Sequence, residues 1–405
     1  MLSKSRKQNE KQLKPAALIA LICAVSVVPP VATDLFLPAL PSMPAYFGES
    51  EATLNLVLVA FFICMAIGML VLGPLSDKHG RKPVLLTSIG TFIVFSIVCA
   101  LSSNVWVLIT ARVFQGFGGG GMVSIGTALV KDCFEGVQRA RVLVAVMAIG
   151  VIAPTASPVL GAIILRFTTW QGTFVAQALF AICSLPLALL LKESLPEDER
   201  ISDKLSATLG RLIVVAKNKS FIYLLIIASL AAACYMTYVS SASYIYIDYF
   251  HLSTLTYSIY FAVNSILSVL GALLVVYAQK HFKAKTSLTA ILTVCLFSGV
   301  LILTIGSHSA NTFLISYAFF TIAEGFIRPF TTNILLDQQK GDTGSASSLI
   351  NTLNTAFSSG AMLLASAPFS TRIIGLGTCI TISALIALAA FFLLMKSKIP
   401  IKGLK

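Results

Sequence analysis

Between Leu54 and Leu72, and again between Pro83 and Leu101, the chain carries no charged residue. Each run has the roughly 18 apolar residues that a helix needs to cross the hydrocarbon core of a bilayer. Backbone polar groups in lipid must find their partners inside their own segment, so such runs are read as helices. The pattern recurs, and spans are expected at 15–47, 51–73, 83–101, 104–131, 139–166, 170–191, 220–249, 255–279, 286–306, 311–336, 344–367 and 372–395. The predicted fold class is therefore an all-α membrane protein of twelve transmembrane helices. With 57% hydrophobic and only 11% charged residues in 405, the composition excludes a soluble globular domain.

The net charge of +13 encodes orientation. Loop by loop, 25 of the 29 basic residues fall on alternate connections and on the two ends, which predicts that both termini are cytoplasmic. Nucleic acid is not an expected partner, because the basic residues form no patch beside aromatic ones. The eight cysteines stand singly, without CxxC or metal-ligand spacing, and are read as small packing residues. No metal site is expected. The basic residues ahead of the first run resemble the start of a secretory signal, but the run is too long and lacks a small-residue cleavage site, so it should stay as the first span.

Most connections are a few residues long. The exception, 192–219, is polar and charged and lies near the middle, so it is read as a cytoplasmic linker between an N-terminal bundle (1–191) and a C-terminal bundle (220–405), each of six helices. Within it, Leu205, Leu209, Leu212 and Ile213 recur at helical spacing beside Lys204, Arg211 and Lys217. The linker can thus form an amphipathic helix on the membrane surface or serve as a plain connector.

The stretch Gly73-Pro74-Leu75-Ser76-Asp77-Lys78-His79-Gly80-Arg81-Lys82 breaks the apolar pattern and is expected to be a tight turn between two spans. It resembles the signature of the major facilitator superfamily, G-x-L-(S/A)-D-(R/K)-x-G-R-(R/K). The resemblance implies two pseudo-symmetric six-helix bundles and a gating role for Gly73, Asp77, Gly80 and Arg81. It also implies that Asp77 lies near Thr343-Gly344-Ser345 at the start of span eleven, with Arg81 reaching Asp132 to latch the cytoplasmic side. The equivalent stretch of the second half, Gln279 to Lys285, is basic but has lost the acid and the glycines.

Ionisable groups inside spans are costly and are functional candidates by default. Asp34 lies in Thr33-Asp34-Leu35-Phe36-Leu37-Pro38-Ala39-Leu40-Pro41, after the helix-breaking pair Pro29-Pro30. A carboxyl group shielded from bulk water can bind and release a proton near neutral pH. A helix cap at the membrane surface is the alternative. The string resembles the opening motif of the bicyclomycin/chloramphenicol-resistance (Bcr/CflA) drug efflux subfamily, with Phe36 where tyrosine is usual. Arg112, in Ala111-Arg112-Val113-Phe114-Gln115-Gly116-Phe117-Gly118, resembles the R-x-x-Q-G-x-G motif of span four. Its guanidinium stays protonated, so it can tune a nearby acid such as Asp34 or hold cargo, with Gln115 as a neutral partner. Gly116 and Gly120 are also spaced for close helix approach.

In span five, Gly150-Val151-Ile152-Ala153-Pro154-Thr155-Ala156-Ser157-Pro158-Val159-Leu160-Gly161 resembles the antiporter motif G-x-x-x-G-P-x-x-G-G, with Ala153 for a glycine and Pro158 displaced. Gly150, Pro154, Pro158 and Gly161 are expected to kink the helix and let it pack tightly. Glu324 and Arg328 stand i,i+4 on span ten, able either to pair structurally or to meet a charged or zwitterionic cargo. Tyr235 and Tyr238 on span seven, and Asn351 and Asn354 on span eleven, are further substrate-binding candidates.

No G-x-x-x-x-G-K-(S/T) loop and no nucleophile–base–acid set is present, so no enzyme is expected. Together, the residues and the resemblance predict a proton-coupled antiporter in the bacterial inner membrane. It would export small organic molecules such as bicyclomycin- or chloramphenicol-type drugs by alternating access. The expected partners are a small-molecule substrate, protons and the lipid bilayer, and the expected state is a monomer. No cofactor is needed beyond the proton gradient. The alternatives are a dedicated exporter of one metabolite, such as a siderophore or amino-acid derivative, or a membrane sensor that does not transport.

Overall fold

The computed structural model describes residues 13–200, 210, 213–339, 343–365, 367 and 369–404. Lys204, Leu205, Leu209, Arg211 and Leu212 of the expected linker helix lie outside the described residues, as do the side chains of Pro154, Thr343, Gly344 and Ser345.

Among the described residues the chain is helical, with no strand. The helices are α1 (Pro15–Asp34), α2 (Met43–Phe47), α3 (Glu51–His79), α4 (Arg81–Leu101), α5 (Val105–Cys133), α6 (Gly136–Ile164) and α7 (Trp170–Leu190). They continue as α8 (Lys219–Ala232), α9 (Cys234–Ser243), α10 (Thr254–His281), α11 (Ala284–Ile305), α12 (Ala310–Asp337), α13 (Thr343–Ala365) and α14 (Arg372–Lys396). Among the described residues, ten segments are long and apolar enough to cross a membrane, and α6, bent by 44° between Gly150 and Thr155, makes an eleventh. The remaining long helix, α13, is rich in serine, threonine and asparagine.

Several helix starts carry their own cap. Asn218 accepts from the N–H groups of Ser220 and Phe221, and Ser309 with Thr312 forms a reciprocal capping box. Caps of this kind satisfy donors that the helix cannot, and fix where the span begins.

Local departures from the sequence expectation have physical causes. The first span does not run as one helix to residue 47. It stays helical through Pro29 and Pro30, then passes through a 3-10 turn at Leu37–Ser42 where Pro38 and Pro41 cannot donate. Gly119 of α5 lies against the Pro29 ring, so the proline pair is held by packing. Nor does a ten-residue turn separate the second and third spans. Helix α3 continues through Pro74 to His79, and the reversal is confined to Gly80, whose φ of 99° is the left-handed region that favours glycine. Lys217 to Lys219 leads into α8, and Tyr244–Tyr249 closes the seventh span with one π turn.

The chain divides into two compact units, one of Met1–Phe36 and Ala60–Leu205, the other of Leu37–Val59 and Ser206–Lys405. The stretch Leu37–Val59, expected within the first bundle, falls to the second because the 3-10 turn packs on α9, α10 and the π turn. In the first unit, α1 packs on α5, α6 and α7, and α4 lies between α5 and α7. In the second, α8 and α12 pack together, as do α10 with α12 and α11 with α14. All eight cysteines are free, and Cys23, Cys99, Cys234 and Cys295 are buried.

Candidate functional site

The first unit buries Arg112 completely. A buried guanidinium is tolerable only with compensating partners. It donates to Gln115 Oε1 at 2.8 Å, and it sits 4.0 Å from the Phe61 ring centroid, 4.9 Å from Phe36 and 5.7 Å from Phe174. The Gln115 amide in turn donates to Ser96 Oγ at 2.6 Å and to Gln177 Oε1 at 2.9 Å, while Ser96 donates to the Phe92 carbonyl. Helices α4, α5 and α7 are therefore tied at one polar knot. Ser96 and Gln177 drew no attention in the sequence, since neutral polar residues are common in spans and signal nothing until their neighbours are known.

Asp34 is the last residue of α1 and is half-buried. The next carbonyl, that of Leu35, faces Gly161 of α6 so closely that a Cβ there would collide with it. Phe36, two residues beyond Asp34, forms one wall of the Arg112 site. The two residues that follow Asp34 thus touch Gly161, through the Leu35 carbonyl, and Arg112, through the Phe36 ring. Pro158 is buried, Gly150 has open space around it, and the bend of α6 falls just ahead of Thr155. Gly116 and Gly120 face the carbonyls of Phe61 and Met65, so their spacing serves close approach of α3 and α5.

At the other end of this unit Arg81 is buried among acceptors. It pairs with Asp77 at 2.6 Å and with Asp132 at 2.8 Å, and donates to Ser76 Oγ at 2.7 Å. Glu193 accepts from the backbone N–H of Arg81 at 2.7 Å and of Lys82 at 3.2 Å, a carboxylate on the positive start of α4. Gly73 lies against Ser124 of α5. The sequence pointed to Arg81 and Asp132, but Glu193 stood in a charged connection with nothing to distinguish it from its neighbours.

In the second unit Glu324 is buried and pairs with Arg328 at 2.5 Å, while the Arg328 side chain is 45% exposed. Ser268 donates to the second Glu324 oxygen at 3.4 Å, and the guanidinium stands 5.8 Å from the Tyr235 ring. Arg328 and Asn354 line the same narrow cleft with Thr331 and Thr332. Asn354 accepts from Ser229 at 2.7 Å, and Asn351 is exposed. Tyr238 is fully buried instead of lining a cavity: it stacks on Tyr317 at 4.0 Å and takes a hydrogen bond from Asn264 at 2.7 Å. The sequence also missed the pair of Glu51 and Arg372, 2.5 Å apart beside Tyr244. It borders a cavity of about 510 Å³ that Asp248 and Tyr249 also line. Among the described residues there is no metal-binding cluster.

Comparison with known proteins fits this arrangement. The sequence model of the Major Facilitator Superfamily matches residues 18–362. YdgK of Bacillus subtilis (strain 168), named an uncharacterized MFS-type transporter, is 28% identical over 389 residues, 95% of this chain and 96% of its own. MdtL of Escherichia coli O9:H4 (strain HS), named a multidrug resistance protein, is 28% identical over 309 residues, 76% of this chain and 78% of its own. Among solved structures, a D-xylose-proton symporter superposes with a TM-score of 0.73 at 14% identity, covering 96% of this chain and 98% of that one. The nucleoside transporter NupG gives 0.73 at 11% identity, covering 94% and 99%. At such identities the structures speak for the fold alone. The chain belongs to the Major Facilitator Superfamily, and this multi-pass membrane protein is a transporter, not an enzyme.

Proposed function

We propose that the protein is a proton-coupled antiporter of the Bcr/CflA type that exports small organic molecules across the bacterial inner membrane, with both termini in the cytoplasm. The observation that carries the reading is the position of Asp34, half-buried at the end of α1 and next to the carbonyl that Gly161 touches. Proton binding at this carboxyl changes the charge beside the close contact of α1 and α6 within the first unit. Arg112, packed on the Phe36 ring two residues beyond Asp34, is read as a fixed positive charge of the same unit. Protonation and cargo binding then favour opposite states, so each releases the other. The Arg81 cluster is read as the gate that holds one of those states. The likeness to MdtL supports drugs as cargo.

A specific observation favours the dedicated exporter as a second reading. Arg328 is 45% exposed although its partner is buried, which leaves donors able to meet a carboxylate on one particular substrate. A panel of chemically unrelated compounds, offered to proteoliposomes under an imposed pH gradient, separates the two. Uphill movement of several of them supports the drug exporter, and movement of a single anionic or zwitterionic class supports the other.

A further inference from the structure

The carboxyl-terminal tail does not leave the protein after α14; it folds back and docks. Gln338, just past α12, donates from its side-chain amide to the Lys402 carbonyl at 3.0 Å and accepts from the Lys402 N–H at 3.0 Å. Its own backbone carbonyl takes a hydrogen bond from Asn218 at 2.9 Å. Ser220 donates to the Pro400 carbonyl at 2.6 Å, and Ile401 and Leu404 are buried. The start of α8, the end of α12 and the tail are thus joined at one knot.

The knot gathers charge. Lys217 and Lys219 flank Asn218, Lys398 and Lys402 flank the Pro400 contact, and Lys396 ends α14; all five are exposed. Asp337, beside Gln338, is the exposed acid at the knot. Large apolar side chains border the lysines on the outer surface: Ile213 and Val214 precede Lys217, and Phe392 and Leu393, the latter 70% exposed, lie one turn before Lys396. Exposed apolar groups beside ammonium groups match the boundary between acyl chains and headgroups. A soluble acidic partner would meet the lysines without these flanks.

We propose that this knot is a binding site for the phosphate headgroups of anionic phospholipids. The tail is the strap that brings Lys396, Lys398 and Lys402 beside Lys217 and Lys219. Each lysine at a membrane surface is worth about 1 kcal/mol toward anionic lipid, roughly fivefold. The site's selectivity rests on their being held together, not on the count alone.

The test uses the full-length protein in nanodiscs of equal phosphatidylglycerol and phosphatidylcholine, with the lipids retained after release counted by native mass spectrometry. The wild type should retain phosphatidylglycerol in excess. Lys398→Gln with Lys402→Gln should lower that excess by fivefold or more, and Gln338→Ala should lower it although every lysine is kept. Thermal stability in phosphatidylcholine alone confirms that each variant is folded. Equal retention of the two lipids by the wild type would overturn the proposal, as would an undiminished excess in the lysine double variant. Inorganic phosphate at matched concentration should not displace the lipid; displacement would mean a general anion site and would overturn the assignment to lipid.

Discussion

Gly161 of α6 stands against the backbone carbonyl of Leu35, one residue beyond Asp34, with no room for a side chain between them. Backbone cannot give way as a flexible side chain can. Gly161→Val should therefore force α1 and α6 apart, costing about 1–3 kcal/mol. Gly150→Ala, where a Cβ meets open space, should be neutral or stabilising by up to about 1 kcal/mol. Thermal unfolding in detergent compares the two, and a Gly161→Val protein as stable as the Gly150→Ala protein would contradict the contact.

Much of this was legible in the sequence, and the reason is physical. Long apolar runs are what a bilayer demands, so the helical fold could be read from residue type, although among the described residues ten segments and one bent pair are apolar enough to span and the Ser-, Thr- and Asn-rich α13 is not. Arg112 with Gln115 was legible because charge in a span is rare, and Arg81 with Asp132 because the Gly73 to Lys82 stretch resembles a family signature. Positions set by tertiary contact were not legible. Nothing local marks Gln177 as a partner of Gln115, or Glu193 as the carboxylate at the start of α4. Glu51 and Arg372, which meet at 2.5 Å, are far apart along the chain. The polar composition of Gly73 to Lys82 points to a turn across the whole stretch, yet helix α3 carries on to His79 and only Gly80 makes the reversal.

The Gln115 amide bonds Ser96 and Gln177 while its oxygen takes the Arg112 hydrogen. Gln115→Leu would keep the volume but leave buried polar groups without their partner, a cost of about 1–3 kcal/mol. Gln115→Glu, which keeps the acceptor beside Arg112, should lose less thermal stability than Gln115→Leu. The reverse order would show that Arg112 does not depend on this acceptor.

Glu51 and Arg372 are partly exposed, and a partly solvated pair contributes about 0–1 kcal/mol. A double-mutant cycle of Glu51→Gln and Arg372→Gln, read by thermal unfolding, should give a coupling in that range that shrinks at high salt. A coupling of several kcal/mol that ignores salt would mean the pair is buried in the functioning protein.

Glu324 is buried with Arg328 as its partner, so removing the arginine strands a carboxylate in a dry environment. Arg328→Gln should destabilise more than Glu324→Gln with Arg328→Gln together. If the double variant is the less stable, the pair is not what holds Glu324 in place.

In the proposed cycle the carboxyl group of Asp34 carries the exchanged proton. Its most direct measurement is uptake of a chloramphenicol-type probe into proteoliposomes with an acidic interior, for the wild type beside Asp34→Asn of matched thermal stability. The wild type should accumulate the probe uphill, an accumulation abolished by a protonophore, and Asp34→Asn should only equilibrate it downhill. Uphill accumulation by Asp34→Asn at the wild-type rate would contradict it.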